Sequence, residues 1–313
     1  MNARRPAWLG PVLALVVVAL LFSVLSPETF VRSSNLVTMA RQTVVVAIAS
    51  VGMTLVIVHG GIDLSVGSAV ALTTVVIASL LKADMGTVTS VLLGIATATA
   101  AGLAVGLLIT QLRVAPFIVT LGAMSVLRGV AKGIANEQKI DVDPGSLEHL
   151  LATRPHSWMP VPAGVWIALG VAVVAAAVLR STRFGRHVYA IGSSENAARL
   201  SGIQVARTKV IVYAVAGALS GLAGVMEFST LTVGDPTDSI GLELEVIAAV
   251  VIGGASLSGG EGSIAGSIIG ACLMTVIRTG ATHVGLPNWV QEIVTGAIIV
   301  VAVSVDRLRH RKR

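Results

Sequence analysis

The chain has 313 residues, 54% of them hydrophobic and 12% charged, with a mean hydropathy of +0.88. A soluble domain carries about 25% charged residues, so a water-soluble globular protein is excluded and an integral membrane protein is expected. Its single cysteine, Cys272, excludes an intrachain disulfide and a cysteine-rich metal site, and no zinc-type histidine spacing is present.

Arg4 and Arg5 precede an apolar run from Leu9 to Leu25, with no A-x-A-like cleavage site after it and Pro27-Glu28 next. This is read as an uncleaved first span rather than a signal peptide. Apolar segments recur near 40–58, 67–81, 87–109, 116–134, 163–179, 208–227, 244–258, 263–280 and 289–305. Each approaches the roughly 20 residues a bilayer requires. The expectation is an all-α integral membrane protein of about ten transmembrane helices, with broken or re-entrant glycine-rich segments. Residues 1–313 are read as one transmembrane domain. It has an inner segment at 181–208 and outer loops at 135–162 and 229–243.

Orientation follows from the basic residues. With both termini cytoplasmic, most of the 22 Lys and Arg residues fall inside, among them Arg113, Arg180, Arg183, Arg186, Arg199, Arg207, Lys209 and the tail to Arg313. This is the positive-inside pattern. It explains the net charge of +6 and the pI near 10.1 without nucleic acid.

Between the second and third spans lies Gly60-Gly61-Ile62-Asp63-Leu64-Ser65-Val66-Gly67-Ser68. An acid at membrane depth is expensive and usually faces a cavity or a partner, and a broken backbone there must be satisfied by protein or water. The stretch has an echo at Gly253-Gly254-Ala255-Ser256-Leu257-Ser258-Gly259-Gly260. Aligned without gaps, Gly60, Gly61, Leu64, Ser65 and Gly67 match Gly253, Gly254, Leu257, Ser258 and Gly260. Paired interruptions in two halves of a membrane protein point to a translocation pathway. Two turns drawing on the same residue types are the plainer alternative.

The inner segment predicts one short helix outside the bilayer. Ser193 or Ser194 caps it, Glu195 suits its first turn, Asn196, Ala197, Ala198, Arg199, Leu200 and Ser201 follow, and Gly202 stops it. Small and apolar side chains there are available to a partner. Leu257-Ser258-Gly259-Gly260-Glu261 looks like the signature loop of nucleotide-binding ATPases, but the chain has no G-x-x-x-x-G-K-[S/T] phosphate loop, so it is not itself an ATPase. Gly262, Gly266 and Gly270 form a GxxxGxxxG ridge that packs helices closely, either between copies or within the chain. No Ser/His/Asp nucleophile pattern appears, and neither a metal nor a cofactor is expected in this chain. Glu227, Glu243 and Glu245 cluster near the outer ends of two spans.

Three ordered motifs then carry a resemblance: G-G-I-D-L-S-V-G-S at 60–68, G-R-x-x-Y-A-I-G-x-x-x-x-A-A-R-L-S-G-I at 185–203, and E-L-E-V-I-A-A-V-V-I-G-G-A-S-L-S-G-G-x-G-S at 243–263. From about residue 36 to 305 the chain resembles the permease subunits of ribose-type ABC sugar importers. Ser193-Ser194 stand where that family often has Gly-Gly or Gly-Asn. The resemblance implies a bacterial inner-membrane permease that pairs with a second copy or a paralogue. It also implies a periplasmic solute-binding protein and an ATPase partner, usually a fused tandem, that binds ATP and Mg. Glu195 to Ile203 would then be the coupling helix. The low aromatic content, 4%, agrees with selectivity held in the binding protein rather than here. A rival reading is an ion-coupled secondary transporter using Asp63. It accounts for the buried acid and leaves the inner segment unexplained.

Overall fold

In a computed structural model the chain is described at residues 9–152 and 159–311. Arg4 and Arg5, which open the positive-inside pattern, and Arg313, which closes it, lie outside the described residues. Among those residues the chain is helical almost throughout. The order is α1 (Leu9–Leu25), α2 (Pro27–Phe30), α3 (Ser33–Val58), α4 (Val66–Lys82), α5 (Thr87–Leu112) and α6 (Pro116–Ile134). There follow a two-residue strand β1 (Ile140–Asp141) and a 3-10 turn (Gly145–Leu151). The chain continues with α7 (Ala163–Ser181), α8 (Arg183–Ser193), α9 (Glu195–Leu200), α10 (Val205–Leu231), strand β2 (Val233–Gly234), α11 (Leu242–Ile252), α12 (Ile264–His283) and α13 (Asn288–Arg311).

Six helices, α3, α5, α6, α7, α10 and α12, are long and apolar enough to cross a membrane. α1, α4 and 288–304 are shorter apolar helices. The span expected at 244–258 is only partly helical: α11 has 11 residues and ends at Ile252. At 1.5 Å per residue it is about 16 Å long, half of a hydrocarbon core. Hydropathy could not see this, because Ala255 and Leu257 continue the apolar run after the helix has stopped.

Packing divides the helices by role. Every residue of α3 from Val44 to Val58 is buried, so this helix, apolar all round, is the centre of the bundle. α10, α12, α11 and α7 pack around it. α5 and α10 are closely paired, with Gly102 and Gly106 facing Tyr213, Gly217 and Val210, and Gly217 and Gly221 facing Ala98 and Ile95. Small residues let the two backbones approach. The outer faces carry bare apolar side chains such as Leu92, Ile118, Val126, Val173 and Val174. In water such a surface would be a large unpartnered patch; against lipid it is solvated.

The ridge expected from Gly262, Gly266 and Gly270 resolves into an intrachain contact. Gly266 lies on Gly253 and Gly270 on Ala249, so two of the three glycines seat α12 on α11. Gly262 is not part of it: α12 begins two residues later, after the Ser263 hydroxyl caps its first turn by accepting from Gly266 N at 3.1 Å.

The two segments expected as separate outer loops are joined. β1 pairs antiparallel with β2, Ile140 opposite Gly234 and Asp141 opposite Val233. Leu151, fully buried, donates its N–H to Ser229 Oγ at 3.0 Å. These contacts fix one end of the bundle, called the loop face below; α8 and α9 mark the opposite, arm face.

Candidate functional site

The first break starts where α3 ends. Gly60 N donates to Ile57 O and Gly61 N to Val56 O, both at 2.9 Å, with Gly60 at φ +89°. This paired closure needs a left-handed residue, which glycine adopts without strain. The chain then turns into the bundle. Ile62 O accepts from Thr120 Oγ1 at 3.2 Å and lies 3.5 Å from the Tyr213 hydroxyl. Asp63 is 6% exposed, and its Oδ1 accepts from both Ser65 N at 2.8 Å and Ser65 Oγ at 2.6 Å. The carboxylate thus folds the break onto itself. Leu64 packs against the core beside it. Because the Ser65 hydroxyl is spent on Asp63, α4 begins without a side-chain cap.

The second break closes its helix the same way. Gly254 N donates to Val251 O at 2.9 Å and Ala255 N to Val250 O at 3.1 Å, with Gly254 at φ +95°. The equivalent of Gly60 is therefore Gly254, not Gly253 as the gapless alignment pairs them. The turn that follows is one residue shorter: Ser256 Oγ accepts from Ser258 N at 3.3 Å, in the place of Asp63 and Ser65. A single deletion between helix end and turn is invisible when five identities line up without it.

Between the breaks sits a part of the inner segment that the sequence reading did not single out. That reading expected one short helix; there are two. Thr182 caps α8, accepting from Gly185 N at 3.2 Å, and Ser194 caps α9, accepting from Ala197 N at 3.3 Å. α8 ends with Gly192 against Val58 O and Gly260 N, which are themselves bonded to each other at 2.8 Å. A methyl group on Gly192 would overlap both, so only glycine fits. Gly259 lies against Gly192 and Gly60, Ser193 lies against Gly260, and the Tyr189 hydroxyl donates to Gly262 O at 2.7 Å. Three distant stretches meet at this point. The signal in the sequence was the glycine inside Tyr189-Ala190-Ile191-Gly192, where a helix former is otherwise expected.

α9 stands on the arm face. Glu195 pairs with Lys209 at 2.7 Å and Arg199 at 2.9 Å, and the hydrogen bond from Lys209, with Arg199 beside it, holds its carboxyl below the usual range. Gly202, at φ +81°, closes the helix as expected of a stop residue. Ala198 does not face outward. It is 3% exposed and packs on Ile191 and Val205. The outward side is made by Asn196, Ala197, Arg199, Ser201 and Leu200, the last 91% exposed.

On the loop face, the segment after β2 packs back onto α4. Gly234 packs on Thr74 and Ala78, while Ser239 O and the Glu243 carboxylate lie against Gly67. From Ala78 to Gly67 is about 16 Å along α4. Asp235 accepts from Thr237 N at 2.8 Å and Thr237 Oγ1 at 2.7 Å, and pairs with Lys139 at 3.0 Å. Arg128 Nη1 donates to Pro236 O at 2.9 Å and Asp238 O at 2.6 Å. Of the three glutamates, Glu227 lies near Asp238, Arg278 and Glu245, Glu245 pairs with Arg278 at 3.4 Å, and Glu243 meets Gly67. Among the described residues no group of His, Cys, Asp and Glu is placed to hold a metal.

Residues 35–303 match the family described as branched-chain amino acid transport system / permease component. The ribose import permease protein of Escherichia coli is 41% identical over 97% of this chain and 96% of its own length. That of Bacillus subtilis is 38% identical, over 96% and 92%. The L-arabinose ABC transporter permease protein of Azospirillum brasilense is 33% identical, over 97% and 88%. No solved structure matches the chain. The chain belongs to this permease family, alongside the ribose-type ABC sugar permeases, and is a multi-pass membrane transport subunit rather than an enzyme.

Proposed function

We propose that the chain is the transmembrane permease of an ATP-driven importer and forms the pathway for a monosaccharide delivered by a periplasmic binding protein. The relatives are named a ribose import permease and an L-arabinose ABC transporter permease. In this reading residues 1–313 form one permease domain with about ten spans, in a bacterial inner membrane, with both termini and the arm face cytoplasmic. The loop face, with 135–162 and 229–243, is periplasmic. Two permease copies, or this chain and a paralogue, enclose the pathway. An ATPase, in this reading a fused tandem, holds ATP and Mg and receives Glu195 to Gly202.

The observation that carries the reading is Gly192, packed against the point where Val58 O at the end of α3 and Gly260 N of the second break bond to each other. A displacement of α9 passes through α8 to both breaks at once, with no compressible side chain between. The closing of an ATPase pair does work on the pathway only if the arm has differential contacts in the two states. Pathway residues are then Gly60, Gly61, Asp63, Leu64 and Ser65 on one side and Gly253, Gly254, Ser256 and Ser258 on the other.

The test uses Leu200, whose side chain has nothing of its own chain to hold. Leu200→Asp inserts and folds like the parent. In the reconstituted complex it loses the stimulation of ATP hydrolysis by loaded binding protein, together with uptake. Normal coupling in this variant overturns the docking role. A stop of uptake on adding an uncoupler at constant ATP moves the assignment to an Asp63-dependent secondary transporter. A cysteine at Ser146 labels from outside intact cells and one at Ser194 does not; the reverse overturns the orientation.

A further inference from the structure

We propose that residues 235–241 are the gate that closes the pathway at the loop face, and that Arg128 is the latch holding it shut. The inference rests on the permease reading and adds a moving part to it. The segment covers the start of α4, two residues beyond the end of the Asp63 turn, and connects it to the loop face. Its position is not set by secondary structure. Between β2 and α11 it is held by Thr237 folding onto Asp235, by the Lys139 pair, by a side-chain hydrogen bond between Glu227 of α10 and Asp238, and by the two carbonyls that Arg128 gathers from α6. Ser239 and Gly241 both lie at positive φ, +56° and +85°, so the turn that brings Ser239 O to Gly67 includes a strained non-glycine residue.

The closed position has an electrostatic reason. α4 has no side-chain cap, so its first-turn N–H groups present a positive end. The carbonyl of Ser239 and the carboxylate of Glu243 are brought to that end. From the α6 side the segment is held by one guanidinium on two backbone oxygens, with Glu243, Asp238 and Asp235 near its charge, a contact that can be released as a unit while β1–β2 stays paired as the hinge. Opening uncovers the α4 end and the turn behind it, which is what a pathway continuous with Asp63 requires. Arg128 is thus a positioning residue that acts through the segment.

The experiment is thiol accessibility in membranes holding the full chain, with Cys272→Ser as background. Ser68→Cys reports on the covered end of α4: the site is fully buried and its hydroxyl has no partner, so a thiol breaks no hydrogen bond. Ser146→Cys, exposed on the loop face, defines the side from which the impermeant reagent must come. Ala216→Cys, buried between α10 and α3, reports general loosening. With Arg128→Ala, Ser68→Cys labels about tenfold faster from the Ser146 side, the change that about 1.4 kcal/mol makes in an opening equilibrium. Ala216→Cys stays at the parental rate. Arg128→Lys, which keeps one charged donor, is intermediate, and Glu243→Gln gives a smaller rise. Parental labelling of Ser68→Cys in Arg128→Ala, or in Arg128→Lys and Glu243→Gln if the alanine variant does not insert, overturns the gate. So does an equal rise at Ala216→Cys. If Ser146→Cys labels from the cytoplasmic side, the orientation proposed above fails, while the gate is still decided by the rate at Ser68→Cys from that same side.

Discussion

The two breaks end their helices identically and are then used differently. Each closes on a left-handed glycine with the same pair of backbone bonds, Gly60 after α3 and Gly254 after α11. After that the first buries a carboxylate, Asp63, with two short bonds from Ser65, and climbs into the bundle between α6 and α10. The second has a serine hydroxyl in that role, accepting from Ser258 N at 3.3 Å, and stays at the arm face as the seat for α8. Similar turns are therefore set in different surroundings: the first is enclosed by α6 and α10, while the second lies under Tyr189, Gly192 and Ser193 of α8. The decision lies in what packs against each, not in the turns themselves.

The largest effect expected on this comparison comes from its shared contact. Gly192→Val drives a branched side chain into Val58 O and Gly260 N, both backbone and neither able to step aside. Overpacking costs about 1–3 kcal/mol where side chains can adjust and more where they cannot. Uptake is lost by more than about tenfold while the protein still inserts, because α8 can lift from both breaks without unfolding a span. Measured uptake at parental levels would mean that the arm does not act through this contact.

Next in size is the difference between the two turns. Asp63→Ala leaves the buried Ser65 hydroxyl and amide without their acceptor and destabilises by about 1–3 kcal/mol. Ser256→Ala removes the 3.3 Å bond from Ser258 N, a neutral bond worth about 0.5–1.5 kcal/mol. Asp63→Asn retains an oxygen in the accepting position and falls below Asp63→Ala. Thermal unfolding of the three variants in detergent gives the order directly; an equal loss for Asp63→Ala and Ser256→Ala would make the turns interchangeable.

A third effect separates the two faces of α9. Ala198→Trp forces bulk onto Ile191 and Val205 and destabilises by about 1–3 kcal/mol, a packing effect inside the chain. Leu200→Ala, on the exposed side, stays within about 0.5 kcal/mol of the parent. If both variants melt with the parent, α9 is not packed as described.

The smallest expected effect is on pH. Glu195 is held below its ordinary value by Lys209 and Arg199, so its contribution is complete above the unfolded carboxyl value and is lost as pH falls through the lowered folded one. The pair is partly exposed, so the whole contribution is no more than about 1 kcal/mol. Lys209→Ala moves the Glu195 titration upward toward the ordinary value, observable by carboxyl NMR of the labelled residue. No upward shift would show that the lysine does not set it.

Local chemistry was legible without tertiary structure. The membrane class follows from composition, and most helices follow from apolar runs of spanning length. The capping of α9 by Ser194 and its stop at Gly202 follow from residue type, because caps and left-handed closures are satisfied within a few residues of the chain. The two breaks were visible as glycine-rich interruptions for the same reason. What packing decided was every relation between distant segments. The outer loop packs onto the bundle where Arg128, more than a hundred residues earlier, gathers its carbonyls. Ala198 turns inward because Val205 and Ile191 are there to cover it, and the glycines of α12 meet α11 rather than a second copy. Gly192 became the centre of the site only once α3, α8 and the second break were brought to one point. A close backbone approach is a property of three segments at once, and no one of them carries it in its own residue pattern.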